Sequence, residues 1–159
     1  MLKLILSALL VLSQSRCGES DLAEVSYYDE AGNYHSILTA NYVTPGLRRE
    51  GSSFSLPLYD VEVTNCVPNF KPISEEVFAV FMTVDHECQV QDLIDQADAY
   101  GADFIFLDIK KIELDPNDLV DYYDEPVFFL GGKIPDDLFN TRNLVSRKRL
   151  ITVYFPIVL

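Results

Sequence analysis

The chain has 159 residues, of which 48% are hydrophobic and 23% are charged, so its composition is that of an ordinary globular protein. Twelve basic and 25 acidic residues give a formal net charge of −13 at pH 7. Nucleic acid and anionic membrane surfaces repel such a chain, which excludes a protein that binds nucleic acid through a basic surface.

The first residues have the pattern of a secretory signal peptide. Lys3 supplies the positive charge, residues 4–12 are almost all apolar, and Ser13 and Ser15 are small residues with the spacing of a cleavage site. The apolar stretch is shorter than the roughly 20 residues that span a bilayer. We therefore predict a signal peptide over residues 1–15 and no membrane insertion after its removal. The alternative is a buried first strand or helix.

Residues 16–35 are polar and acidic, which predicts either an exposed lead-in or a hairpin. The domain is then predicted to span residues 36–159. In its first part, the sequence predicts a strand over residues 36–43 and a loop over residues 48–53. A second, half-buried strand is predicted over residues 58–63, where apolar and polar side chains partly alternate.

The clearest pattern in the chain is that of a β-α-β unit. Residues 77–84 and 104–109 are short apolar runs rich in β-branched and aromatic side chains, as expected of strands buried on both faces. Gly101 follows the last periodic residue and suits a left-handed helix end. Between the two runs, four apolar residues recur with the spacing of one helix face: Val90, Leu93, Ile94 and Ala97.

The remaining sequence predicts four further segments. These are an acidic loop, a short strand, a short helix and a last strand: residues 110–125, 127–130, 134–139 and 150–159. Pro156 interrupts the last strand, and proline is mostly confined to edge strands, so we predict this strand at the edge of the sheet. The periodicity alone is consistent with a small doubly wound sheet.

Three cysteines occur in the chain. Cys17 lies at or just past the predicted cleavage site, so it either links to a partner or is lost from the mature protein. Cys66 and Cys88 are then the natural pair within the domain. Because the signal peptide indicates an oxidising compartment, we predict a disulfide between them rather than two buried thiols. Such a bridge would contribute about 3 kcal/mol.

An ordered set of features resembles the protease-associated (PA) domain family. The set comprises a strand leading to the first cysteine, an apolar strand leading to the second, a helix end followed by a strand, a proline-led strand and a short helix: residues 59–66, 78–88, 97–108, 125–130 and 135–138. The resemblance covers residues 58–139 well and residues 36–57 loosely. It departs from the family in the turn before Cys88, where acidic residues replace the usual arginine and glycine.

The resemblance implies an α+β (α/β-like) fold, with a mixed, curled or barrel-like β-sheet, a β-α-β core and two flanking helices. It also implies a non-catalytic interaction module with a protein or peptide ligand, secreted or in the secretory or endosomal lumen. One alternative is the lumenal ligand-binding part of a longer membrane protein, such as a sorting receptor or a PA-transmembrane-RING ubiquitin ligase. Another is a secreted hydrolase or an inactive relative of one.

The sequence predicts no catalytic residue, no metal ligand and no cofactor. The two histidines, His35 and His86, lack the context of a catalytic triad, and His86 with Cys88 forms no second pair of zinc ligands. The acids of residues 115–125 do not have the spacing of a calcium loop. Residues 131–133 resemble a phosphate loop but lack its full pattern. The residues that bind the ligand are not identified by any motif.

Overall fold

The computed structural model describes residues 22–42, 51–85, 87–108, 127–130, 138–139 and 148–155. These ranges contain nine strands and one helix: β1 (Leu22–Tyr28), β2 (Tyr34–Tyr42), β3 (Ser53–Asp60), β4 (Val63–Thr64), β5 (Val67–Pro68), β6 (Ala79–Thr83), α1 (Val90–Tyr100), β7 (Phe104–Asp108), β8 (Val127–Leu130) and β9 (Lys148–Tyr154). Within them, no helix is both long enough and apolar enough to cross a membrane.

Seven of the strands close into a barrel in the order β1-β2-β8-β7-β6-β3-β9, and β9 pairs back with β1. Strands β3, β6, β7 and β8 pair in parallel. The other pairs in the ring are antiparallel, so the barrel has a parallel half and an antiparallel half made of β2, β1, β9 and β3. Strands β4 and β5 form a separate small hairpin.

The parallel half is buried on both faces, which explains its nearly continuous apolar sequence. In β6, Phe81 belongs to the cluster that fills the barrel, whereas Met82 belongs to the cluster beneath α1. Helix α1 covers this half with its predicted apolar stripe, and all four residues of that stripe are buried. The predicted β-α-β unit is therefore present, with β6 and β7 in parallel register.

The end of α1 matches the sequence prediction for Gly101. This residue has φ 99°, a left-handed conformation that glycine adopts without a steric penalty. Its N–H donates to the carbonyl of Asp98 at 2.9 Å, and the N–H of Ala102 donates to the carbonyl of Ala97 at 3.1 Å. These two bonds satisfy carbonyls that the helix end would otherwise leave unpaired.

The antiparallel half begins earlier in the chain than the predicted domain. The described part of residues 16–35 forms a hairpin with β2, so the barrel starts before residue 36. Every second side chain of β1 enters the core, as shown by Ala23, Val25 and Tyr27, and the residues between them face outward. This alternation is present in the sequence, but the surrounding acidic residues and serines obscure it.

The predicted fold class, an α+β protein with two flanking helices, is wrong. The described chain is mostly β-sheet, and α1 is the one helix within it. Of the second predicted helix only Leu138 and Phe139 are described, and they are not helical. The doubly wound alternative is wrong as well, because the sheet closes and half of it is antiparallel. Exposed serines and acids on the antiparallel strands hide their strand pattern, which explains both errors.

The last described strand, β9, is not at an edge. It pairs with β3 on one side and with β1 on the other, so it lies between two strands of the ring. Several other predictions lie outside the described residues. These concern the signal peptide, Cys17, His86, the acidic residues 115–125, residues 131–133 and Pro156.

Candidate functional site

The crossover segment, residues 61–78, connects two neighbouring parallel strands of the barrel, β3 and β6. Such a connection is usually made by a helix. Here it contains the small β4–β5 hairpin and otherwise irregular backbone. Connections longer than about 12–15 residues with little regular structure are uncommon in compact domains, and they are often binding loops. The crossover segment is therefore the candidate functional site.

The first anchor of the crossover segment is a pair of cysteines. The sulfur atoms of Cys66 and Cys88 lie 2.12 Å apart, at disulfide-bonding distance, and their Cα atoms are 5.2 Å apart. Cys66 lies in the turn of the β4–β5 hairpin, and Cys88 lies just before α1. Asn65 and Cys66 have φ values of 51° and 62°, as in the type I′ turn that fits the twist of a hairpin. The pair thus joins this turn to the start of the helix.

The second anchor lies at the other end of α1. The ring of Phe70 stacks on Tyr100 with a centroid distance of 4.3 Å and an interplanar angle of 8°. The Tyr100 hydroxyl donates a hydrogen bond to the carbonyl of Lys71. Phe70 and Ile73 also pack against the apolar cluster beneath the helix. Segment and helix are therefore held together by ring contact, apolar contact and a hydrogen bond.

The third anchor is a polar cluster around Glu75. The Lys148 ammonium lies 2.8 Å from one carboxylate oxygen of Glu75, and the Tyr59 hydroxyl donates to the other. The hydrogen bond from Lys148, followed by that from Tyr59, lowers the pKa of Glu75 to about 2. Burial and the bond to Glu75 raise the pKa of Tyr59. The cluster connects the segment to the ends of β3 and β9, two strands of the barrel wall.

Glu75→Gln is expected to remove a pH-dependent part of the stability. The folded-state pKa of Glu75 lies below its ordinary value of 4.5, so its contribution is present above about pH 4.5 and is lost as the pH falls towards 2. The melting temperatures of wild type and variant should therefore differ at pH 7 and converge near pH 2, as measured by circular dichroism. Glu76→Gln, at an exposed neighbour, should show no such gap. A Glu75→Gln gap that is unchanged at pH 2 would contradict the assignment.

The fourth anchor lies at the end of the crossover segment, where β6 begins. The backbone N–H of Phe78 donates to a carboxylate oxygen of Asp103 at 3.0 Å, and the N–H of Asp103 donates to the carbonyl of Phe78 at 2.9 Å. Because Asp103 directly precedes β7, this reciprocal pair fixes the end of the segment against the next strand of the barrel.

An open groove lies between the beginning and the middle of the crossover segment, with a volume of about 120 Å³. One wall comes from the end of β3 and the residues after it, and the other comes from the irregular backbone after β5: Tyr59, Asp60, Val61, Glu62, Asn69, Lys71, Pro72 and Ile73. The carboxylate of Glu62 is exposed, as is the ammonium-bearing side chain of Lys71. The groove thus offers opposite charges, an amide and apolar surface, which is the chemistry needed to contact a polypeptide.

His35 takes part in a different cluster, at the turn between β1 and β2. Its Nε2 atom lies 2.9 Å from a carboxylate oxygen of Asp29, and its ring stacks on Tyr27 at a centroid distance of 5.0 Å. The contact with His35, followed by hydrogen bonds from Asn33, lowers the pKa of Asp29. The Arg149 guanidinium lies 5.4 Å from the Tyr27 ring centroid. These contacts hold the hairpin turn to one end of the barrel.

The structure brings together the one residue pair that the sequence predicted, Cys66 and Cys88. Among the described residues, no group of three His, Cys, Asp or Glu side chains is arranged to hold a metal ion. The sequence motifs did not indicate the cluster of Tyr59, Glu75 and Lys148, because these residues come from separate parts of the chain. One signal was available: the two prolines after Cys66 precede β6 and indicate a long extended connection between two strands.

Comparison with known proteins does not assign a family. No protein-family model matches the chain, and no curated protein matches it.

Proposed function

We propose that the chain is a non-catalytic, PA-like protein-interaction module that binds a segment of a protein or peptide ligand in the groove of the crossover segment. The observation that carries this proposal is the fixation of that segment. A long irregular connection is held at its hairpin, at Phe70 and Lys71, at Glu75 and at Phe78, and it borders an open groove. Binding residues are commonly found on loops that a rigid scaffold positions in this way.

The anchors favour binding because they reduce its entropic cost. A flexible loop loses conformational freedom when a ligand orders it, at a cost of about 0.5–1.5 kcal/mol for each immobilised side chain. On one wall of the groove, the hydrogen bond from Tyr100 already restricts the backbone of Lys71. On the other wall, the hydrogen bond to Glu75 already restricts Tyr59. Much of this cost is therefore met during folding, before the ligand arrives.

The size of the groove favours a polypeptide over a small molecule. Pockets for small molecules and cofactors usually have volumes of about 300–1,000 Å³, whereas this groove has about 120 Å³ and is open. That volume accommodates a side chain or a short stretch of backbone. The opposite charges of Glu62 and Lys71 supply partners for a ligand that carries charged or polar side chains.

The proposed location is the secretory or endosomal lumen or the extracellular space. A cysteine pair at disulfide distance fits an oxidising compartment, and the predicted signal peptide over residues 1–15 supports the same route. In this proposal, Cys66 and Cys88 form a structural disulfide, which holds one wall of the groove in place.

The test is a selection of random linear peptides displayed on phage against the purified full chain. Affinities of the selected peptides are then measured by fluorescence polarisation for the wild type and for two charge reversals, Glu62→Lys and Lys71→Glu. A ligand in the groove approaches both walls, so at least one reversal should weaken binding tenfold or more, which corresponds to about 1.4 kcal/mol.

Glu30→Lys provides the matched control, because Glu30 is also exposed but lies in the β1–β2 turn, outside the groove. This variant should bind the selected peptides as the wild type does. If neither Glu62→Lys nor Lys71→Glu changes the affinity, or if selection enriches no peptide above background, the groove is not the ligand site.

A further inference from the structure

The two walls of the groove meet at the hairpin end of the crossover segment. The N–H of Asn69 donates to the carbonyl of Glu62 at 2.8 Å, which extends the β4–β5 pairing by one residue on each strand. Beyond this bond the two chains separate, because one wall leads into β3 and the other contacts α1 at Tyr100. The groove is therefore closed at this end, which favours a ligand chain that crosses both walls over one that runs along the groove.

The least exposed part of the groove is continuous with the apolar cluster beneath α1. Val61 belongs to that cluster and is 5% exposed, and Tyr59 and Ile73 pack against the cluster from the groove side. An apolar side chain of a ligand placed against these three residues extends an existing hydrophobic cluster and is removed from water, which is favourable. The bottom of the groove therefore suits one apolar side chain of the ligand.

Each wall carries one exposed charge. Glu62 lies on the first wall and Lys71 on the second, whereas Asp60, the third charged residue of the lining, is half-buried. Across the described ranges of the chain, neither the Glu62 carboxylate nor the Lys71 ammonium is in an ion pair or a side-chain hydrogen bond. The nearby Glu75 and Lys148, in contrast, pair with each other at 2.8 Å. The groove thus offers a ligand one negative and one positive group, on opposite walls.

We propose that the polypeptide segment bound in the groove has an apolar residue between a basic and an acidic residue, a proposal that rests on the proposed function. A chain that crosses the groove passes over one wall, over the bottom and over the other wall in turn. Its apolar side chain enters the bottom beside Val61 and Ile73. The basic side chain then pairs with Glu62, and the acidic side chain pairs with Lys71.

The two charges also disfavour other ligands. A segment with two basic or two acidic residues places a like charge against one wall, which weakens its binding. The net charge of −13 on the whole chain attracts a uniformly basic segment to many parts of the surface, not to the groove alone. A segment that carries one charge of each sign is neutral overall, so its binding depends on the positions of Glu62 and Lys71.

The apolar side chain and the two charges contribute in different ways. Because Glu62 and Lys71 are exposed, ion pairs with them are weak and are screened by salt. The apolar side chain is desolvated at the bottom of the groove, so its contribution depends little on salt. The charges therefore select the ligand, and the affinity for a matching segment is expected to fall as the ionic strength rises without being abolished.

The experiment compares selections of random phage-displayed peptides on two full-length proteins, the wild type and the double variant Glu62→Lys/Lys71→Glu. Exchanging the two charges leaves the net charge of the chain unchanged, and equal melting temperatures show that the variant is folded. The wild type is expected to enrich peptides that have an apolar residue between a basic and an acidic residue, with the two charges in one order. The double variant should enrich the same pattern with the two charges in the reverse order.

Fluorescence polarisation then measures one enriched peptide beside a peptide in which its two charges are exchanged. The wild type and Glu30→Lys should prefer the first peptide by about tenfold, because the exchange replaces two attractive pairs by two like-charge contacts. The double variant should show the opposite preference, and glycine at the apolar position should weaken binding to both proteins.

Two kinds of result would overturn this inference. If the double variant keeps the wild-type preference, or if the enriched peptides lack the pattern, the charges do not select the ligand. The groove still remains the ligand site in that case, provided that Glu62→Lys or Lys71→Glu alone weakens binding. If no peptide is enriched, or if neither single reversal changes the affinity, the proposed function fails together with this inference.

Discussion

Phe128→Ala is expected to lower the free energy of unfolding by about 3–5 kcal/mol. Phe128 is fully buried in the barrel and stacks on Phe106 at a centroid distance of 4.5 Å. It also meets the ring of Phe104 edge to face at 5.6 Å. Removing the ring therefore deletes buried apolar surface and several aromatic contacts inside the barrel, and it leaves a cavity. Urea unfolding followed by circular dichroism measures the loss.

Two variants calibrate this result. Phe128→Leu keeps most of the volume and should cost clearly less than Phe128→Ala. Leu150→Ala removes a large apolar side chain that is 68% exposed, so it should change the free energy of unfolding by no more than about 0.5 kcal/mol. If Phe128→Ala and Leu150→Ala had equal effects, the β8 side chain would not lie in the core.

Cys88→Ser is expected to destabilise the protein by about 3 kcal/mol, because the proposed disulfide joins residues separated by 22 positions and would restrict the unfolded chain. The native state also loses the connection between the β4–β5 turn and the start of α1. Left-handed backbone at Cys66 then lacks that covalent restraint. Chemical unfolding of the variant beside the wild type measures the difference, and adding a reductant to the wild type should lower its stability to that of the variant.

The Cys66→Ser/Cys88→Ser double variant serves as the control, since its stability should not respond to reductant. Binding of the peptides selected on the groove should weaken in the same variant, because one wall of the groove is no longer tied to the helix. Equal stability of the wild type with and without reductant would show that the two thiols do not form a bridge.

The local features of this chain were predictable because each one depends on a few neighbouring residues. Gly101 ends a helix whose apolar stripe is complete in the sequence, and the strands beside it are apolar on both faces. Barrel closure was not predictable in the same way. It depends on β1 and β9, whose outward Glu24, Ser26 and Thr152 conceal the strand pattern. It also depends on the first half of β3, which begins at the end of the predicted loop and contains Pro57.

Only part of the candidate site could be predicted from the sequence. The cysteine pair follows from cysteine counting in a chain whose first residues predict a signal peptide, whereas the groove depends on contacts between residues far apart in sequence. Tyr59, Glu75 and Lys148 meet only after β3 and β9 have paired. No sequence motif indicates that these three side chains are in contact.

The pairing of β1 with β9 has a consequence for folding during synthesis. Glu24 lies opposite Tyr154, so the barrel closes only after nearly all of the described chain has emerged. The β-α-β unit, with its local contacts, can form earlier, whereas β1 and β3 keep unpaired edges until β9 enters between them. Open strand edges favour association with other chains. The interval between synthesis of β3 and insertion of β9 is therefore when nascent chains depend most on chaperones to avoid aggregation.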